Sequence, residues 1–275
     1  MKNINSGKTI IIADVHQNIG YVDKVLSQEK EFDNCVFLGD WLDTFYDIDN
    51  ANYYSVHETC GWINQHLDDD RFIWLLGNHD LAYIASYSPK KYTTPKETFY
   101  CCSGWTRSKA RAFNYAINPL LFDKIELCCK VGDFHCVHGG FHYGQFAPYL
   151  SEEDNVAKLY ADWENDKHTF MFKPYHWINY VSALRRGHND TSSPIWLDWR
   201  EFIPMDDIQI ICGHSNSLEI IDAPRIKKNK DGLENYCIDY NQQIYAVADF
   251  EKNSLTIKTI AGMFLSESKL KRLKS

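Results

Sequence analysis

The sequence predicts an α/β fold in which two β-sheets pack together and helices cover the outside. Three observations point there. The first eighty residues alternate short apolar, β-branched runs with amphipathic stretches, the pattern of parallel βαβ units. The second half carries closely spaced strand-like runs. Five strand-like runs end in polar, mostly glycine-containing segments unsuited to a core, and α/β sheets place their sites at such carboxyl ends.

Taken in order, Ile10–Ala13 reads as a strand and Ile19–Gln28 as a helix. Asn34–Leu38 is a second strand, and Tyr53–Leu67 a helix with Val56, Ile63 and Leu67 on one face. Arg71–Leu76 is a third strand. Lys124–Lys130, Asp133–Val137, Ile208–Cys212, Tyr236–Ile238, Ile244–Phe250 and Ser254–Ile260 are expected to build the second sheet. Between them, residues 139–205 are aromatic-rich and irregular, and are read as helices and loops over one rim. Lys269–Lys274, within a basic tail spanning 265–275, is expected to be frayed and solvated. With no linker, repeat or low-complexity tract, residues 1–275 are expected to form one domain.

Composition narrows the function. The 29 Lys+Arg against 37 Asp+Glu leave a net charge of −8, which disfavours stable nucleic-acid binding. Nine cysteines cannot all pair, and Cys35, Cys136 and Cys212 lie inside apolar runs, as reduced structural thiols do. The apolar run at residues 9–13 is too short for a secretory core, and nothing approaches the roughly 18 apolar residues of a membrane span. A soluble, cytoplasmic protein with no membrane partner is the expectation.

The chemistry lies in the strand-end segments. They are Asp14-Val15-His16, then Gly39-Asp40-Trp41-Leu42-Asp43, Gly77-Asn78-His79-Asp80, His138-Gly139-Gly140 and Gly213-His214. Carboxylate, imidazole and amide oxygen are borderline-to-hard donors suited to manganese, iron or zinc. A pair of cations about 3.5–4 Å apart clamps the attacking and leaving oxygens of an in-line displacement.

This ordered set, D-x-H, G-D-x-x-D, G-N-H-D, H-G-G and G-H, resembles the calcineurin-like metallophosphoesterase superfamily. The nearest branch is the phosphoprotein phosphatase (PPP) group, with bacterial and phage Ser/Thr phosphatases and diadenosine tetraphosphate hydrolases. Trp199-Arg200-Glu201-Phe202 and Asn235–Asp239 extend the similarity over residues 8–260. The resemblance implies a four-layer sandwich: two mixed sheets face to face, with helices outside. It implies two divalent ions, Mn²⁺ foremost, with Fe or Zn as alternatives. Asp14 and His16 would hold the first, Asp40 would bridge, and Asn78, His138 and His214 would complete the second. His79 would be the general acid, oriented by Asp43. The nucleophile would be a metal-bridging hydroxide.

Thr44-Phe45 stand where the PPP branch has Arg-Gly, so either another arginine grips the phosphate or the substrate is held differently; Arg200 is the first candidate, then Arg185 and Arg186. The expected function is hydrolysis of a phosphomonoester, as in protein Ser/Thr phosphatases. The alternative is a nucleotide phosphodiesterase or dinucleoside polyphosphate hydrolase, so the partner is a phosphoprotein or a nucleotide. A non-catalytic scaffold is disfavoured because His79, Asp43 and every ligand position are retained. Gly187-His188 lacks a preceding strand and His142 lies in a surface loop, so neither is chosen as a ligand.

Overall fold

The computed structural model describes residues 1–44, 54–87, 102–170, 173, 175–187, 191–216, 225–261 and, by backbone course, 264–269. His188, Phe45, Cys101 and the end of the basic tail lie outside the described residues. The first elements are β1 (Asn3–Ile4), β2 (Lys8–Ile12), α1 (Ile19–Gln28), β3 (Asn34–Phe37), α2 (Val56–His66), β4 (Phe72–Leu75) and α3 (Asn78–Ser86). Then come α4 (Arg107–Ala116), α5 (Leu120–Lys124), β5 (Ile125–Glu126), β6 (Cys128–Val131), β7 (Phe134–Val137) and α6 (Glu152–Asp166). The chain continues through β8 (Gln209–Cys212), β9 (Arg225–Lys228), β10 (Glu234–Cys237), β11 (Ile244–Asp249), β12 (Ser254–Thr259) and β13 (Phe264–Lys269).

Local chemistry sets the helix starts. Asn18 caps α1 by accepting the Tyr21 N–H at 2.9 Å. The helix expected from Tyr53 begins instead at Val56, because Ser55 and Glu58 form a reciprocal capping box. Gly77-Asn78-His79-Asp80 is not a loop in its entirety: Asn78 opens α3.

The strands make a seven-stranded sheet ordered β13-β12-β11-β2-β3-β4-β5 and a six-stranded sheet ordered β1-β6-β7-β8-β10-β9. β2 to β5 run parallel, as the βαβ pattern requires. Two assignments change. Ile244–Asp249 and Ser254–Thr259 belong to the first sheet: β11 pairs antiparallel with β2 and covers its open edge. The single expected strand Lys124–Lys130 is two, because the chain bends at Leu127 and delivers β5 to one sheet and β6 to the other. The part of the tail expected to fray begins at Lys269, which is the last residue of β13.

Residues of β2 alternate between two cores. Ile11 faces Val36, Ile73, Cys129, Cys136 and Ile211 in the layer between the sheets. Ile10 and Ile12 join Val22, Val25, Phe37 and Ile63 in the other core. On that face Trp62 of α2 meets Phe37 edge-on with centroids 6.0 Å apart. On the opposite outer face, Glu153 of α6 reaches Lys130 and His135 of β6 and β7. The four-layer sandwich follows: helices, sheet, sheet, helix. All eight described cysteines are unpaired and buried.

Candidate metal centre and its cleft

Strand ends from both sheets meet at one point. β2 delivers Asp14 and His16, β3 delivers Asp40, and Asn78 follows β4. From the other sheet, β7 delivers His138 and β8 delivers His214. The backbone there takes conformations that only local bonding sustains. His16 (φ 45°), Asp40 (φ 54°), Asp43 (φ 66°) and His214 (φ 64°) are left-handed, a strain of about 1–3 kcal/mol each. Val15 and His16 both donate their N–H to the Asp40 carbonyl, at 3.0 and 2.8 Å, which locks the first two turns together. Two glycines are required by close approach. A Cβ on Gly77 would lie 2.2 Å from Asp40 N, and one on Gly213 would lie 2.3 Å from Asp14 Oδ1.

Two ligand groups result, Asp14–His16–Asp40 and Asp40–His138–His214, each with its donor atoms within 4.8 Å of one another. They share Asp40, as a bridging carboxylate must be shared. Asn78 Oδ1 stands 2.9 Å from His138 Nε2, adding the amide oxygen.

The imidazole tautomers fit cations. His138 Nδ1 faces the Leu38 carbonyl and His16 Nδ1 faces the Leu42 carbonyl, both at 2.9 Å. A carbonyl only accepts, so Nδ1 carries the proton and a neutral ring presents the Nε2 lone pair to the cluster. For His138 that lone pair meets Asn78 Oδ1 and, at 3.4 Å, Asp40 Oδ2. Acceptors facing acceptors are reconciled by a proton or a cation. His214 Nε2 is buried without a hydrogen-bond partner, and its one visible use is coordination.

Charge is concentrated here. Burial pushes Asp14 up to about 7, against His138 and with Asp40. Burial would raise Asp40 too, but His138 and His79 outweigh it and hold it well below the usual carboxylate range. Burial would lower His138, yet Asp40 and Asp14 raise it to about 9. Burial holds His214 well below its ordinary value, with His138 adding, so it remains an electron-pair donor.

His79 sits beside this cluster. Its backbone N–H donates to Asp40 Oδ1 at 2.8 Å, and its Nδ1 faces Asp43 Oδ2 at 3.0 Å. Burial lowers the imidazole's proton affinity, but Asp40 and Asp43 outweigh it and raise it above the ordinary value. Asp43 is fully buried and also receives Cys102 Sγ at 3.1 Å, Lys109 Nζ at 3.0 Å and the Tyr83 hydroxyl. Sequence reasoning missed all three. Tyr83 lies four residues past His79 on α3, so the helix period would have exposed it. Cys102 and Lys109 carry no local signal, because only the folded chain brings them there.

The cleft over the cluster has a volume of about 710 Å³ and is lined by Arg185, Arg186, Trp196 and Asp239 besides the site residues. Arg200, expected first, does not line the cleft: its side chain is 68% exposed and its guanidinium bonds both oxygens of Asp198, two residues back. Arg185 bridges Asp198 and the His214 carbonyl, whereas Arg186 is exposed with no ion-pair partner among the described residues. His142 also stays outside the cleft and accepts the Gly144 N–H instead.

Five of the six strand-end donors line the cleft and the sixth, His138, is fully buried beside them; a two-sheet sandwich carrying such a set defines a metallophosphoesterase, a hydrolase. The chain belongs to the calcineurin-like phosphoesterases, whose family model matches residues 7–240. Among solved structures it is similar to the cold-active protein-tyrosine phosphatase of a psychrophilic Shewanella species. The TM-score is 0.58 and the identity 13%, over 98% of this chain and 82% of that one. A point mutant of a cold-active protein tyrosine phosphatase matches with TM-score 0.60 and 14% identity over the same shares. A protein serine/threonine phosphatase from Saccharomyces cerevisiae matches with TM-score 0.46 and 12% identity, over 100% of this chain and 84% of that one. The search of curated proteins finds no match. Among the described residues, no helix is long and apolar enough to cross a membrane.

Proposed function

We propose that the chain is a dinuclear metal-dependent phosphomonoesterase, acting on phosphoryl groups of the kind carried by phosphoproteins. The observation carrying this reading is the exposed Arg186 on the cleft rim, beside Arg185. A dianionic monoester needs concentrated cationic grip, and a guanidinium supplies two parallel donors to its oxygens. Two cations held by Asp14, His16, Asp40, Asn78, His138 and His214 would acidify bound water and polarise the phosphoryl oxygens. Around them, Asp40 sits between the two donor groups, while Arg185 holds the His214 turn through its carbonyl at 3.0 Å. His79 delivers a proton to the leaving oxygen from Nε2, because Nδ1 is committed to Asp43.

Manganese is the ion expected to support activity in vitro, with iron and zinc as the other donors' matches. The test is a panel of para-nitrophenyl phosphate, its bis ester, phosphopeptides and diadenosine tetraphosphate, assayed with added Mn²⁺. Turnover of the monoesters is expected. Activity confined to the bis ester or the dinucleotide would replace this reading with a nucleotide diesterase.

A further inference from the structure

We propose that Asp43, His79 and Cys102 form a third, inhibitory site for a thiophilic divalent cation of the zinc or cadmium class. The inhibitory part rests on the reading of His79 as proton donor; the binding part does not. Ligand atoms from these three buried side chains lie within 4.8 Å of one another, as closely grouped as those of the two clusters described above. Cys102 Sγ and His79 Nδ1 approach the same oxygen, Asp43 Oδ2, at 3.1 and 3.0 Å. The other oxygen, Oδ1, is held by Tyr83 and Lys109, so the carboxylate presents Oδ2 in a fixed direction.

The spacing is close to what a cation needs. Tetrahedral bonds to sulfur and nitrogen place neighbouring ligand atoms about 3.4–3.6 Å apart, so the triangle must open by roughly half an ångström. Cys102 and His79 both line the cleft, which supplies an entry path from solvent. Sulfur distinguishes this set from the neighbouring oxygen and nitrogen donors, and it selects zinc or cadmium over manganese. A divalent ion with one thiolate and one carboxylate is neutral, so Lys109 beside Asp43 faces no net repulsion.

Binding requires deprotonation at sulfur. The thiol proton leaves to solvent and the sulfur electron pair goes to the cation. The Nδ1 proton is displaced as well: it leaves to solvent when the ring is doubly protonated, and when the ring is neutral it is exchanged through solvent onto Nε2, so that Nδ1 offers its lone pair to the cation. With Nδ1 occupied by metal the ring cannot become an imidazolium, and the leaving oxygen has no acid.

The test is titration of the Mn²⁺-loaded protein with Cd²⁺, reading ultraviolet sulfur-to-cadmium absorption together with hydrolysis of para-nitrophenyl phosphate. Cys102→Ser is expected to lose a thiolate's share of the band. Its half-inhibitory Cd²⁺ concentration, relative to its own uninhibited rate, should rise at least tenfold. Cys102→Ala provides a second variant, and circular dichroism reports whether each is folded. An unchanged band in both variants would overturn the site, and equal half-inhibitory concentrations would overturn its inhibitory role. The absorption difference is read even without turnover, so failure of the phosphatase reading remains distinguishable.

Discussion

The carboxylate of Asp80 accepts the backbone N–H of Asp40 at 2.8 Å, so a residue outside the two candidate donor groups fixes the backbone of the one residue they share. The same carboxylate accepts Trp41 N–H at 2.9 Å and Gly77 N–H at 3.1 Å. Three buried donors from two turns thus converge on one side chain. Burial and the Asp40 charge push its pKa up to about 7, against the pull of those N–H groups. Asp80→Ala leaves the three donors unsatisfied, at about 1–3 kcal/mol each. The expected outcome is a fall in unfolding free energy on the order of 3 kcal/mol or more. Urea denaturation of the metal-free protein measures it.

His79→Asn should retain bound manganese while lowering kcat by roughly 10²–10⁴-fold, the usual share of general acid–base catalysis. Elemental analysis checks the metal, and steady-state kinetics the rate. Wild-type turnover in this variant would remove His79 from the reaction.

The arginines separate cleanly by kinetics. A charged hydrogen bond is worth about 1.5–3 kcal/mol, so Arg186→Ala should lower kcat/KM for a monoester by roughly 10–100-fold. Arg200→Ala, whose side chain points into solvent and onto Asp198, should stay within about twofold. The reverse ranking would restore Arg200 as the phosphate grip.

Acid sensitivity has an identifiable contributor on α6. The Glu153 carboxyl lies at about 2 against an ordinary 4.5, chiefly because the His135 imidazole stands 3.2 Å from it; burial opposes and Lys130 assists. A pKa depressed in the folded state contributes stability above about pH 4.5, and that contribution is lost as pH falls toward 2. Glu153→Gln should therefore show a smaller drop in Tm between pH 5 and pH 3 than wild type. The Glu153 side chain is 42% exposed, so screening keeps the difference to a few degrees at most. An identical drop in both proteins would exclude the pair as a contributor.

The convergence of the strand ends was legible in sequence because their donor side chains are encoded locally. Asp14, His16, Asp40, Asn78, His138 and His214 each stand one to four residues past a β-strand. The surroundings of Asp43 were not legible, since Cys102 and Lys109 reach it from 59 and 66 residues away. The surroundings of Arg200 were not legible either, because its partner Asp198 is a local competitor that a motif comparison does not weigh. Sheet membership was hidden for a related reason. Nothing in Ile244–Asp249 says that its partner will be β2 rather than β10, its neighbour in the chain. The edge left open by β2 decides that.

The Asp14 carboxylate receives the His214 N–H at 2.8 Å across 200 positions of chain, and β2 is flanked by β11. A polypeptide emerging from the ribosome therefore exposes its opening carboxylate and imidazole long before their counterparts are translated. Both donor groups can be complete only once the chain has been made past His214, and a product terminated near residue 200 would lack that imidazole and the strand that delivers it.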